Sequence, residues 1–212
     1  GRQGARGIND MVLSALPFLQ ERGRPARELP GGGGHAGGPP ALQWLHLTGP
    51  GDFEKVKAAY AALGIKAVVK PFLAEMDLAL AGATVSVSRS GASSLAEIAA
   101  MRLPSLLVPY PAAADNHQYF NAFAFEKTGA AELLEQKNST PARVAARLCE
   151  LVENQAMRAT MRSALTQWHA PKAAEQIAET VLAAIARQKK EKVSRKSGCS
   201  CGHAHGPAKH AH

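Results

Sequence analysis

Short apolar runs alternate with amphipathic stretches along most of this 212-residue chain. The apolar runs predict strands at 42–47, 65–69, 83–87, 105–108 and 130–134. Apolar residues at helical spacing predict helices at 8–20, 52–63, 73–81, 95–101, 118–127, 141–153, 155–167 and 172–188. This alternation predicts an α/β fold with a Rossmann-like, doubly wound parallel sheet. Ligands of such sheets bind beyond the carboxyl ends of the strands.

The segment Ser88–Glu97 joins a predicted strand to a predicted helix through small residues. One interpretation is a capping box, with Ser94 as the N-cap and Glu97 as its partner. The other is an anion site, because a helix start presents free N–H groups and partial positive charge. There the N–H groups of Ala92 to Ser94 hold a phosphate, and Glu97 accepts from a ribose diol. Arg89 either neutralises a phosphate or pairs with a carboxylate.

A second polar group follows the predicted strand at 105–108. Asp115 is predicted to be the N-cap of the next helix, with His117, Gln118 and Asn121 on one face of it. Amide side chains offer donors and acceptors together, which suits sugar hydroxyls. A capped surface helix is the alternative.

Further N-terminal, Asp52 is a predicted N-cap and Gly64 a predicted helix stop for the helix at 52–63.

The two ends of the chain have distinct compositions. The chain begins at Gly1 rather than Met, and residues 1–7 are predicted to be a glycine turn. Such a turn usually follows a buried strand, so we expect a fragment cut just after its first strand. Residues 1–187 are predicted to form one domain with a flexible Gly/Pro-rich insert at 22–40, and residues 188–212 a disordered basic tail.

The net charge of +8 is concentrated in the tail, since residues 187–212 carry +6 of it. A solvated end is expected there and no nucleic-acid partner is expected, with contact to anionic lipid or nucleic acid as the alternative. Three cysteines indicate a reducing compartment rather than a disulfide framework. A tail metal site is a further alternative, with ligands Cys199, Cys201, His203 and His205.

Several motifs are absent from the sequence. It has no apolar run near the roughly 20 residues of a membrane helix, and no visible signal peptide. It also has no Asp-x-Asp pair for a divalent cation and no complete nucleoside-triphosphate loop. We therefore expect a bound diphosphate to be stabilised without metal, by a helix start and hydroxyl groups, and no cofactor to be required.

Four motifs and the N-terminus together resemble a known family. The motifs are Ser88–Ala100, Leu103–Pro111, Ala114–Ala122 and Glu126–Ala131, and they follow Gly1–Asn9 in order. They are similar to the C-terminal domain of the MurG family, the lipid-linked N-acetylglucosaminyltransferases of peptidoglycan synthesis in glycosyltransferase family 28. The resemblance covers residues 1 to about 185. It implies the C-terminal half of a GT-B fold.

The resemblance also implies an activity and a site. The reaction would be inverting transfer of N-acetylglucosamine from UDP-N-acetylglucosamine to undecaprenyl-diphospho-muramoyl-pentapeptide, on the cytoplasmic face of the plasma membrane. The acceptor site, the general base and the membrane-docking face would belong to an absent N-terminal domain, so no catalytic residue is expected in this chain. The implied donor-binding residues are Arg2, Gln3, Gly4, Leu73, Arg89, Ser90, Gly91, Ala92, Ser93, Ser94, Leu95, Ala96, Glu97, Gln118 and Asn121.

Within that set, Leu73 would face uracil, Ala92 to Ser94 the diphosphate, Glu97 the ribose, and Gln118 with Asn121 the sugar. Arg2 departs from the family, which usually has Ser there, and Ala112 stands where His is frequent. Two other functions stay open: a related GT-B transferase for a lipid or small acceptor, and a non-catalytic metal-binding or interaction protein that uses the Cys/His tail.

Overall fold

A computed structural model describes residues 2–22 and 42–197, with side chains for 6–20 and 42–191. The predicted flexible insert at 22–40 lies outside these ranges except for Arg22. The possible metal ligands of the tail, Cys199, Cys201, His203 and His205, also lie outside them.

All hydrogen-bonded strand pairs of the described residues are parallel, as predicted. They form a two-stranded sheet, β1–β2, and a three-stranded sheet, β3–β4–β5. Register places Val87 beside Leu106 and Leu107 beside Leu133. Each strand is shorter than the apolar run that predicted it; the strands are β1 Trp44–Leu47, β2 Ala67–Lys70, β3 Ser86–Ser88, β4 Ser105–Leu107 and β5 Glu132–Leu133.

Every predicted helix is present, with differences at the ends. Short 3-10 turns at Ala114–Asn116 and Thr166–Trp168 precede α5 and follow α7. The last helix extends nine residues beyond its predicted end at 188. It crosses residue 187, so the domain limit placed there stays a prediction. The helices are α1 Arg2–Arg22, α2 Phe53–Ala62, α3 Met76–Gly82, α4 Ala92–Met101, α5 His117–Lys127, α6 Pro141–Glu153, α7 Gln155–Leu165 and α8 Ala173–Ser197.

The predicted glycine turn at 1–7 is wrong for residues 2–7, which form the start of α1. Glycine within a helix costs only about 1 kcal/mol relative to alanine. The apolar face of this long helix is buried, with Met11, Ala15 and Leu16 in the core. Packing of that face therefore outweighs the preference of Gly4 and Gly7 for a turn.

Strand β4 is covered on both faces. Leu106 and Val108 belong to one buried cluster, with residues of α1, α2 and α6. Leu107 belongs to a second cluster, with residues of α4 and α5. Since neighbouring residues of a strand point to opposite faces, helices lie on both sides of the sheet. This is the doubly wound arrangement expected from the sequence.

A buried polar network connects α1 to β1 and α2. The Asn9 amide donates to the Thr48 carbonyl at 3.0 Å and to the Asp52 carboxylate at 2.9 Å. The Asn9 Oδ1 atom lies 3.1 Å from Nε2 of His46, and Nδ1 of His46 lies 3.1 Å from the Tyr60 hydroxyl. Because Oδ1 only accepts, Nε2 carries the proton of neutral His46, and Nδ1 accepts from Tyr60.

The two helix-boundary residues predicted for α2 behave differently. Gly64 follows the helix with a φ of 64°, a left-handed conformation that favours glycine, so the predicted stop is confirmed. Asp52 occupies the N-cap position, but its side chain makes no cap hydrogen bond. Its carboxylate accepts from the Asn9 amide instead.

The described residues divide into two units, one that ends at His169 and one that begins at Ala170. The described part of the second unit is mainly α8, on which Ile177, Val181, Leu182 and Ile185 are exposed. Among the helices that the structure describes, none is both long and apolar enough to cross a membrane.

We predict a pH dependence of stability that originates at His46. Burial lowers the pKa of His46, so the folded state binds a proton less readily than the unfolded state. The free energy of unfolding should be greatest above about pH 6.5 and fall as the pH drops from there to the lowered pKa. One site contributes a slope of at most about 1.4 kcal/mol per pH unit.

Denaturant unfolding between pH 5 and 8 measures this slope. His46→Gln should flatten it, whereas His169→Gln, at an exposed histidine, serves as the matched control. Equal slopes for wild type and His46→Gln would contradict the assignment.

Candidate functional site

The carboxyl ends of β3, β4 and β5 meet at one edge of the three-stranded sheet. Backbone bonds continue the pairing one residue further, from Val108 to the Ser88 carbonyl at 2.8 Å and from Leu134 to the Leu107 carbonyl at 2.9 Å. The residues that follow each strand therefore lie side by side. This edge brings together the segment 89–97, the loop after β4 and the loop after β5.

Helix α4 begins at this edge with no side-chain cap. Gly91 is its N-cap, in an extended conformation with φ −70° and ψ 150°, and Leu95 donates to the Gly91 carbonyl at 3.0 Å. A helix leaves its first N–H groups without an intrahelical acceptor. Here those groups belong to Ala92, Ser93 and Ser94. A Cβ atom built on Gly91 would meet no atom within 4 Å, so the space beside Gly91 is open.

The predicted capping box is wrong. Ser94 is the third residue of α4 rather than its N-cap, because the extended Gly91 lets the helix start directly at Ala92. Glu97 is consequently one turn inside the helix, where it is exposed. The anion site stays a prediction, and the observed helix start leaves its N–H groups without a side-chain cap.

Gln118 and Asn121 lie beside this segment, as predicted. The Ser90 hydroxyl, which is fully buried, donates to the Gln118 carbonyl at 2.7 Å. The Asn121 amide donates to the Ser90 carbonyl at 3.1 Å, and Oε1 of Gln118 accepts from the Tyr110 N–H at 3.0 Å. These bonds hold the first turn of α5 against the approach to α4.

The predicted N-cap at Asp115 is wrong. Asp115 lies in the preceding 3-10 turn with a φ of 48°, and Asn116, with a φ of 53°, is the N-cap. Asp and Asn tolerate this left-handed conformation better than most residues, which lets the chain turn sharply into α5. His117 bonds to the Ala114 carbonyl at 2.7 Å, so its ring is directed into the turn rather than toward Ser90.

Arg89 spans the ends of neighbouring strands. Its guanidinium donates to the carbonyls of Val108 at 3.0 Å and Pro109 at 2.9 Å, and to Oε1 of Gln136 at 3.0 Å. It also lies 5.5 Å from the centre of the Tyr110 ring. Burial lowers the pKa of Arg89, while the nearby Tyr110 opposes that shift. The partners just named are carbonyl and amide oxygens rather than the carboxylate considered as one alternative.

Gln136 is a site residue that the sequence patterns missed. Besides its bond to Arg89, its amide lies against the backbone of Gly7 in α1. A Cβ atom on Gly7 would lie 2.5 Å from Nε2 and 2.6 Å from Oε1. A polar residue just after the last predicted strand, at the same sheet edge as Ser88–Glu97, was the available signal.

The remaining predicted residues are placed less directly. Leu73 is half-buried in the loop after β2, and β2 belongs to the two-stranded sheet rather than to the sheet that carries the site. Arg2, Gln3 and Gly4 form the first turn of α1. Along α4, Ala96 is exposed and Leu95 is buried.

A shallow cavity of about 260 Å³ opens between α4 and α5. Phe125 and Trp168 stack at 4.1 Å between ring centres and form its apolar part. The cavity is lined by Ala92, Leu95, Ala96, Asn121, Phe125 and Trp168. It thus shares four residues with the predicted donor site.

Within residues 2–22 and 42–197, no group of three or more His, Cys, Asp or Glu side chains is arranged to hold a metal ion. The tail ligands considered from the sequence lie beyond these ranges.

We predict that Ser94→Ala leaves stability nearly unchanged, because Ser94 does not cap α4. Removal of a true N-cap costs about 1 kcal/mol. Thr140→Ala and Asn154→Ala are matched controls, since these side chains accept from the N–H groups of Arg143 and Met157 at the starts of α6 and α7. Thermal unfolding should separate the controls from Ser94→Ala. A loss at Ser94 as large as theirs would contradict the observed helix start.

Comparison with known proteins places the chain in a family. The model of the glycosyltransferase family 28 C-terminal domain matches residues 1–180. The chain is 36% identical over 188 residues to a protein of Anaeromyxobacter sp. (strain Fw109-5), and 38% identical over 184 residues to one of Sorangium cellulosum (strain So ce56). Both relatives carry the name UDP-N-acetylglucosamine–N-acetylmuramyl-(pentapeptide) pyrophosphoryl-undecaprenol N-acetylglucosamine transferase. The matches cover 89% and 86% of this chain, but only 45% and 42% of the relatives.

A solved structure agrees. The crystal structure of Acinetobacter baumannii MurG superposes with a TM-score of 0.67 at 27% identity, over 86% of this chain and 47% of that one. The predicted fold class, the C-terminal half of a GT-B glycosyltransferase, is thereby confirmed. The chain belongs to glycosyltransferase family 28, and it matches the C-terminal domain of that family.

Proposed function

We propose that this chain supplies the donor-binding half of an inverting N-acetylglucosaminyltransferase. The donor would be UDP-N-acetylglucosamine and the acceptor undecaprenyl-diphospho-muramoyl-pentapeptide. The observation that carries the proposal is the uncapped start of α4 at the end of β3, below open space at Gly91. The names of the relatives, which describe this transfer, support the choice of substrates.

The proposed diphosphate contact is the N–H groups of Ala92, Ser93 and Ser94. An anion at a helix start is stabilised by roughly 0.3–1 kcal/mol when exposed, and by up to about 2 kcal/mol when partly buried. The same groups would stabilise the charge that develops on UDP as it leaves, which lowers the barrier to transfer. In this proposal the chain contributes to catalysis through the leaving group.

Glu97 is proposed to accept from the ribose hydroxyls. It is exposed one turn along α4 from the diphosphate contact, and no capping box occupies it. Gln118 and Asn121 are proposed to address the sugar, because bonds to Tyr110 and Ser90 already fix their side chains at the site. Leu73 is proposed to contact uracil through its backbone. Arg2 to Gly4 are proposed to lie beside the donor phosphates.

The chain spans about 45% of the length of its Anaeromyxobacter relative. The steps of the reaction beyond donor binding are therefore proposed for the part of the protein that this chain does not match. Acceptor binding and proton removal are assigned to the part of the relatives that the chain does not match. A peripheral location at the cytoplasmic face of the membrane is also proposed, because the relatives' names include an undecaprenol-linked acceptor.

We further propose that donor binding requires no divalent cation, since the sequence has no Asp-x-Asp pair. UDP affinity should be the same in EDTA as in millimolar Mg²⁺. A loss of binding in EDTA would contradict this.

A related transferase with a different sugar donor is distinguished by competition. UDP-N-acetylglucosamine should displace labelled UDP more effectively than UDP-glucose does. The reverse order would favour the related GT-B transferase over the proposed function.

Substitution at Gly91 tests the diphosphate site without disturbing the fold. Its backbone conformation suits any residue, and the space above it is open. Gly91→Asp should lower UDP affinity at least about tenfold, equivalent to roughly 1.4 kcal/mol. The new carboxylate would repel the diphosphate and would also accept from the N–H groups at the start of α4. The thermal stability of Gly91→Asp should not fall.

Gly91→Asn is the matched control, since it caps the same groups without charge. It should lose less affinity than Gly91→Asp in isothermal titration calorimetry. A folded Gly91→Asp chain that binds UDP like wild type would refute the site.

A further inference from the structure

We propose that Gln136 is a positioning residue for the donor diphosphate site, and this inference rests on the proposed function. Gln136 is uncharged, so its proposed role depends on hydrogen bonding and packing. The geometry points to a role through Arg89 on one side and α1 on the other.

The first contact is with Arg89. Oε1 of Gln136 accepts from a terminal guanidinium nitrogen of Arg89 at 3.0 Å, while the other terminal nitrogen donates to the carbonyls of Val108 and Pro109. Gln136 follows β5, and the two carbonyls follow β4. Together these bonds fix the guanidinium across the carboxyl ends of three neighbouring strands.

The position of Arg89 matters because it lies two residues before Gly91. Ser90, between them, is fully buried and bonded to α5 through its hydroxyl and its carbonyl. The two residues that precede Gly91 are therefore both anchored by hydrogen bonds. A displaced Arg89 would shift the start of α4, where the diphosphate N–H groups lie.

The second contact is with Gly7 of α1. The Gln136 amide occupies the place of a side chain there, with Nε2, Oε1 and Cδ at 2.5, 2.6 and 2.9 Å from the position of a Cβ atom. Real Cβ contacts are not this short, so only glycine accommodates the amide without a shift. Gly7 is five residues from Arg2, at the end of α1 that is proposed to lie beside the donor phosphates.

One amide group is thus connected to both segments of the proposed diphosphate site through one intervening residue on each side. The start of α4 is reached through Arg89, and the start of α1 through Gly7. Because these segments are far apart in sequence, their relative position depends on contacts of this kind. Gln136 would set the spacing between them before the donor binds, which reduces the cost of ordering the site.

The test compares Gln136→Ala, Gly7→Ala and the double variant by NMR titration with UDP and with uridine. Gln136→Ala should weaken UDP binding about three- to tenfold and leave uridine binding unchanged, because only the diphosphate contacts depend on the amide. Gly7→Ala should weaken UDP binding similarly, by displacing the amide. The double variant should be no weaker than either single variant, since the methyl group then has no amide to displace.

Asn138→Ala, at an exposed residue of the same loop, is the control and should bind both ligands like wild type. Unchanged UDP affinity in folded Gln136→Ala overturns the inference, and so does an equal loss for UDP and uridine. Additive losses in the double variant overturn the coupling through Gly7. Failure of the wild-type chain to bind UDP is a different result, which refutes the proposed function itself.

Discussion

The central strand β4 is the element on which the rest of the structure depends. Ser105, Leu106 and Leu107 are all completely buried, and helices cover both faces of the strand. Burial of one leucine side chain contributes roughly 1.5–3 kcal/mol. Because β3 and β5 pair with β4 in fixed register, its burial also determines where their carboxyl ends lie. The position of the candidate site is therefore determined by packing of the core.

Polar side chains convert that edge into a defined surface. Arg89 donates to two backbone carbonyls and to the amide oxygen of Gln136. The Ser90 hydroxyl and the Asn121 amide each donate to a backbone carbonyl. Their bonds join segments that the core alone leaves unconnected. The uncapped N–H groups at the start of α4 thus lie near side chains that are already held in place by hydrogen bonds within the protein. If UDP binds as proposed, much of its site is already ordered in the unliganded chain.

The sequence predicted the strands, the helices and the residues around α4 and α5 because hydrophobic period and turn residues are local signals. It failed where a distant contact decides. Gly1–Gly7 has the composition of a turn, yet packing of Met11 and Leu16 makes residues 2–7 helical. Ser94 fits a capping box, yet the extended Gly91 starts the helix earlier. Gln136 carries only one local signal, its position just after the last predicted strand, because its contact with Gly7 arises only when the loop after β5 and α1 approach each other in the fold.

Gly91 differs from Gly64 in what it contributes to the chain. The left-handed backbone at Gly64 is a demand of folding, whatever the protein binds. At Gly91 the backbone is ordinary and the surroundings are open, so folding places no demand on the residue. If the proposed diphosphate site is correct, a related chain that does not bind a donor would be expected to keep glycine at position 64 and to lose it at position 91. The identity of that single residue would then distinguish a working copy from one that retains only the fold.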